Sequence, residues 1–570
     1  MSSIAVGSQR AWIACLSALA LAGCDSGGGG GSSSSGGVVA LPEAVPPAKT
    51  SSATPADAAR LAKQATFGPD FATVERIGSI GVDAWITEQF GLSSSNYRDL
   101  MQVVRKDHCA GSSDYATCEF RTKLRGPVAA RFYANAVGQP DQLRQRVALA
   151  LGQMMTVSNN EMLMTASLAG YNQLLLDHSF GNFRDLLHAV TMNGYMGRYL
   201  DMAESKVTAP SENYARELLQ LFSMGAEQLE MDGTVRRDAT GAPLENYSMD
   251  DIKGVSRALT GWLYAPMDGA GKFDWAASDH TKSMIIGDTN WYDRGEKRFL
   301  GTSVAGGASS QQSVASVVDA AFRNASTPPF VSRHLIRHLV TANPSPAYVR
   351  RVAEKFVNNG NGERGDMKAV LRAVLTDPEA RNPSGSSAAG KLKEPILLMT
   401  SLARVVGVQT DGGAMMERDE ALGQPVFNAP SVFGFYPSEN GLPGRPGYRS
   451  PVSGLVSVST SITWHNLVHD WTILGDPEKR PEYRVQARIP GAFGTTPAWI
   501  NWETFGSDID SMIARIDLLM LANSMTAAQR AALKAAAMAI TDADERRQAR
   551  RRAQAMLYVV GTSPAFLVDR

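Results

Sequence analysis

Apolar residues recur at helical spacing through nearly the whole chain, and this leaves little room for any fold but a mainly α-helical one. Helices are predicted over 57–66, 71–90, 142–157, 182–192, 311–324, 329–341, 346–357, 366–375, 391–405, 457–473, 509–521 and 526–559. Ser248-Met-Asp-Asp251 reads as a capping box that opens another helix, with Ile252, Val255 and Leu259 on one face and Gly261 as its stop. Strand signals are few. Asp232-Gly233 and Thr240-Gly241 turns between short polar runs suggest a hairpin within 228–247, and 273–300 reads as a long irregular loop. The expected fold is a large multi-helix globular domain with a small β-hairpin and long irregular loops.

The N-terminus points to export. An apolar run over 11–22, with Arg10 in front, is too short to span a bilayer and ends in Leu21-Ala22-Gly23-Cys24. A small residue directly before cysteine is what a lipoprotein signal peptidase reads, so 1–23 is expected to be a signal peptide and Cys24 the acylated N-terminus. Residues 24–55, rich in Gly, Ser and Pro, then form a flexible tether, and 56–570 the helical domain. Stable anchoring needs more than one acyl chain, palmitate among them. The expected place is the bacterial cell envelope, facing periplasm or cell surface. Lys plus Arg and Asp plus Glu are both 56, so no net field favours nucleic acid. Cys109 and Cys118 lie in a polar stretch and, in an oxidising compartment, are expected to form a disulfide. Zinc is the alternative, but His108 alone beside them makes a poor tetrahedral set.

The segment densest in chemistry is Ser211-Glu-Asn-Tyr-Ala-Arg-Glu-Leu-Leu-Gln-Leu-Phe-Ser-Met-Gly225. Tyr214, Leu218, Leu221 and Phe222 share a helical face, and Glu212 and Arg216 are spaced for a surface ion pair. Glu217 lies at the edge of that face, four residues from Asn213. Burial would raise its pKa and suit it to act as a general base or ligand. The structural alternative is that Glu217 accepts hydrogen bonds from a cation such as Arg257. Two histidine pairs, His334/His338 and His465/His469, have the i, i+4 spacing of metal ligands, but neither has the glutamate of a zincin. Gly360-Asn-Gly-Glu-Arg-Gly365 fits a dinucleotide fingerprint only formally, because it follows a helix, and it reads as a turn. No cofactor motif stands out.

Several segments together resemble a bacterial family known as domain of unknown function 1800. They include Ala65-Thr-Phe-Gly68, Leu143-Arg-Gln-Arg-Val-Ala148, Glu212-Asn-Tyr-Ala-Arg-Glu-Leu218, Arg257-Ala-Leu-Thr-Gly-Trp262 and Gly295-Glu-Lys297. Asn343-Pro-Ser-Pro-Ala-Tyr348, Lys393-Glu-Pro395 and Ala429-Pro-Ser-Val-Phe433 follow in the same order. The resemblance implies an exported, mainly helical protein, often encoded beside an exported family of sulfatase-like appearance. The family commonly has His-Asp before Gly-Glu-Lys, where this chain has Tyr292-Asp293. Two functions are expected from these features. One is a lipid-anchored scaffold or maturation partner of a co-exported sulfatase-like protein. The other is an envelope hydrolase with Glu217 as base, Asn213 and Arg216 as orienting groups, and Asp293 and Lys297 contributed by the long loop. A deep pocket gathering Glu217, Arg257 and Asp293 would favour the hydrolase, and a broad exposed apolar patch the scaffold.

Overall fold

The computed structural model describes residues 52–105, 107–160, 162–267, 278–287, 290–382, 390–474 and 483–569. The stretch expected to be a signal peptide, and Cys24, lie outside the described residues. The first helix, Pro55–Ala65, begins where the expected tether ends. Thr54 caps it by accepting from the Asp57 N–H, and Pro55 takes the first turn, where no amide donor is needed. Helices Pro346–Val357 and Ile509–Leu521 run as the period predicts, opened by Ser345 and Asp508. The capping box at Ser248 closes in both directions and starts Met249–Ala258.

Predicted helices that proved too long broke where capping chemistry interrupts an otherwise continuous apolar period. The 71–90 stretch is two helices, Phe71–Ile80 and Val82–Gly91, parted at Gly81, whose φ is 86°. The 526–559 stretch is also two, Ala527–Met538 and Glu545–Gly561, the second capped by Asp544. The 391–405 helix starts only at Pro395, because Lys391–Leu392 pairs instead with Val568–Asp569 near the chain end. The 457–473 helix is α-helical over Val458–His469 and continues as one π-turn, Asp470–Leu474.

Strands among the described residues form only two-stranded pairs. The hairpin expected within 228–247 is a set of isolated bridges, such as Glu227–Glu245 and Leu229–Val235. Its turns are fastened by Asp232 and Asp238, which accept from the Thr234 and Thr240 amides. The described part of 273–300 is more regular than expected. Ser278–Asp279 pairs with Ala265–Pro266, Ile285–Ile286 with Trp262–Leu263, and Lys297–Phe299 with Thr302–Val304. Strands of two or three residues are too short to show a period of two.

One continuous core of buried apolar side chains runs from Ala58 to Phe566. Among the described residues no helix is long and apolar enough to cross a membrane. Cys109 and Cys118 are joined as a disulfide, with an S–S distance of 2.09 Å. The Gly360–Gly365 segment is a turn, with all three glycines at positive φ.

Candidate functional site

The acidic motif helix, Asn213–Gln220, packs Tyr214, Leu218 and Leu219 into the core, and Tyr214 donates to Thr191 Oγ1 at 2.8 Å. Glu212 and Arg216 form the expected pair at 3.4 Å. Asn213 donates to Asp201 Oδ2 at 3.1 Å. Glu217 is 8% exposed, and its Oε2 is enclosed with no hydrogen-bond partner. Burial pushes its pKa up, and the charge of Arg216 offsets this only in part. The expected contact with Arg257 does not form, because that guanidinium is taken by Asp293.

Asp293 and Lys297 belong to a separate cluster. Arg257 grips Asp293 through Nε at 2.7 Å and Nη2 at 3.3 Å, and the Gly295 amide adds a third bond at 2.8 Å. Burial works against the Asp293 charge, but these donors and the nearby Lys297 together hold its pKa below the usual carboxylate range. Thr260 Oγ1 accepts from the Asp293 amide at 2.9 Å. Lys297 is fully buried and donates to the Gly295 carbonyl at 3.0 Å and to Tyr292 Oη at 3.3 Å. Tyr292 also bonds Ser313 Oγ at 2.6 Å. The Arg-Ala-Leu-Thr-Gly-Trp and Gly-Glu-Lys motifs therefore meet to fasten the loop onto the Met249–Ala258 helix. Every polar group named in this cluster is engaged in that fastening.

Because no cation is bonded to the buried Glu217 Oε2 and Arg216 acts on it only through space, the expected effect of neutralising it is reversed. A carboxyl whose folded pKa is raised contributes stability that is present below its unfolded pKa and is lost as pH rises through the folded value. Glu217→Gln is therefore expected to leave urea stability nearly unchanged at pH 4, below the unfolded carboxyl pKa, and to raise it at pH 8, by up to about 1 kcal/mol. Urea melts at the two pH values check this, and a loss of several kcal/mol would reveal a cation partner.

The cavity lies elsewhere. A partly open cavity of about 350 Å³ lies between the Thr327–Leu339 helix, the 391–394 segment and the 432–452 stretch. Arg333, His334, Arg337, His338, Lys391 and Glu394 line it. The i, i+4 spacing does bring the two imidazoles together, with ring centroids 4.2 Å apart. His334 Nε2 lies 2.7 Å from the Ala150 carbonyl, which can only accept, so this nitrogen carries the proton. Burial pulls the His334 pKa down to about 4 and that of His338 well below its ordinary range, with nearby cations adding to the second shift. Both rings are neutral at neutral pH.

His465 is exposed, while His469 packs edge-on against Tyr558 and lies 3.7 Å from Asp470. Among the described residues no group of three or more His, Cys, Asp or Glu could hold a metal ion.

Glu394 ties the cavity wall together. Its Oε2 accepts from Gln153 at 2.7 Å, Gln424 at 2.5 Å and Tyr436 Oη at 3.2 Å. Arg146 and Lys391 both donate to the His338 carbonyl at the end of the histidine helix. The outer wall is latched by Arg337, which bonds Glu439 at 2.6 Å. Asn343 exchanges two bonds with the Arg449 backbone, at 2.9 and 2.7 Å. Sequence reasoning placed neither Arg333, Arg337 and Lys391 nor Glu394 and Tyr436 in a site. The available signal was that Lys393-Glu-Pro395 and Ala429-Pro-Ser-Val-Phe433, quoted for the resemblance, supply Glu394, Val432 and Phe433 to one cavity.

No curated protein and no solved structure matches the chain. A family model described as protein of unknown function (DUF1800) matches residues 60–568, from the first helix to the final strand. That match spans nearly all of the chain, and the chain belongs to the DUF1800 family.

Proposed function

We propose that this protein works at the cell envelope, tethered through Cys24, as a non-catalytic partner that holds a co-exported sulfatase-like protein. The carrying observation is a row of exposed apolar side chains at the start of the Val458–His469 helix, which follows the 432–452 cavity wall in the chain. Phe433, at the cavity wall, is 54% exposed, and Val456, Val458 and Ile462 are 57%, 79% and 56% exposed. Val458 and Ile462 share one face of the Val458–His469 helix at i, i+4. The capping box formed by Ser457 and Thr460 fixes the helix start, so that face is presented in one orientation. Single exposed apolar residues are ordinary, but a grouped row is what a docking surface requires.

Hydrolysis on Glu217 has less behind it. Glu217 does not line the cavity, and Asp293 and Lys297 are engaged in the loop joint.

The test is the double substitution Val458→Glu/Ile462→Glu. Both side chains face solvent, so the melting temperature should hold. Co-purification of the sulfatase-like protein with the native, membrane-bound chain should fall by about tenfold or more, as expected when central apolar contacts are lost. Undiminished co-purification would refute the docking surface.

A further inference from the structure

We propose that the cavity is a binding site for a small ligand with an oxyanion head (carboxylate, sulfate or phosphate monoester) and a compact apolar body. The charge balance around it carries this, independently of whether the apolar row holds a partner protein. Arg333 and Lys391 line the cavity, and Arg146 is buried behind Lys391. The hydrogen bonds of these three cations go to backbone carbonyls: Arg333 to Gly233 at 3.1 Å, Arg146 to His338 at 3.2 Å, and Lys391 to the same His338 oxygen. A carbonyl satisfies a donor but does not neutralise a charge. Arg146 also keeps a buried Nε–H without an acceptor, as does Arg337.

The carboxylates at the cavity do not remove this excess. Glu439 is committed to Arg337 and Arg449. Glu394 is held by three neutral donors and Asp569 is paired with Lys393 at 3.4 Å, and both act on Arg146 and Lys391 through space only. The two imidazoles are neutral and add no negative charge. Buried cations lacking a counter-charge are costly, and an incoming anion offsets that cost.

The rest of the wall suits a compact apolar body, with Leu221, Phe330, Val432, Phe433 and Val452 facing it. Glu439 already demonstrates carboxylate binding on this wall, since it bonds Arg337 at 2.6 Å. A ligand anion therefore competes with the Glu439 side chain for that guanidinium.

The full chain is titrated calorimetrically with benzoate, phenyl sulfate and phenyl phosphate, with benzyl alcohol as the neutral probe and inorganic sulfate as the headgroup alone. At least one aromatic anion should bind one-to-one with a Kd below about 1 mM, and benzyl alcohol at least about tenfold more weakly. The tightest of the three identifies the headgroup. Arg333→Gln should weaken that anion about tenfold or more, and Glu439→Gln should tighten it by freeing Arg337. Lys391→Met serves as the weakening variant if Arg333→Gln fails to fold. Equal binding of benzyl alcohol, no saturable binding by any of the three anions, or unchanged affinity in the weakening variant would overturn the assignment.

Discussion

Asp419→Ala is expected to destabilise the protein by about 3–5 kcal/mol, because it leaves a mostly buried guanidinium, 13% exposed, without its counter-charge. Asp419 has no solvent exposure and accepts from Arg125 Nη1 at 2.9 Å and Nη2 at 2.7 Å. It also takes the Tyr133 hydroxyl at 3.2 Å and the Val426 amide at 3.0 Å. These bonds join the Gly126–Gly138 helix to the stretch carrying Gln424, which in turn holds Glu394 at the cavity. Adding Arg125→Met to Asp419→Ala should recover more than half of the loss, since both charges then leave together. Denaturant melts of the two single variants and the double variant measure this. An unchanged midpoint for Asp419→Ala would mean that another group neutralises Arg125.

Gly68→Ala is expected to cost about 2–4 kcal/mol through a steric route. Gly68 has a φ of 130°, which side-chain-bearing residues rarely adopt, and an added Cβ would stand 2.3 Å from Ser401 Cα. The contact is with backbone, so no rotamer change relieves it. Gly68 also offers its carbonyl to Arg404 Nε at 2.6 Å, and Arg404 reaches on to the Val137 carbonyl at 2.8 Å. Ser401 and Arg404 sit on the Pro395–Val406 helix, directly after Glu394. Strain at Gly68 should thus pass to the cavity wall, and a denaturant midpoint equal to that of the wild type would contradict the close approach.

Much of the helical framework was legible because local chemistry decides it. Ser345 before Pro346, Asp508 before Ile509 and the box at Ser248 each set a start that tertiary packing left in place. The breaks at Gly81 and ahead of Asp544 were hidden because the apolar period resumes on their far sides. The cavity was harder to foresee. The His334/His338 pair was visible as a shared helix face, but its neighbours come from 391–394 and 432–439, and only tertiary folding brings them together. The Glu217 environment was half legible. An edge position on an apolar helix face predicts burial, whereas the cation expected beside it was already paired with Asp293, and that pairing spans 36 residues.

The central claim, that the apolar row at the start of the Val458–His469 helix is where the exported partner sits, is tested most directly by photo-crosslinking in intact cells. A photoreactive amino acid is placed at position 458, and, for comparison, at Met538, which is also exposed at 59% but lies on a different helix. The account predicts an adduct with the sulfatase-like protein from position 458 and none from position 538. Adducts of equal yield from both positions, or none from 458 while the two proteins still co-purify, would contradict it.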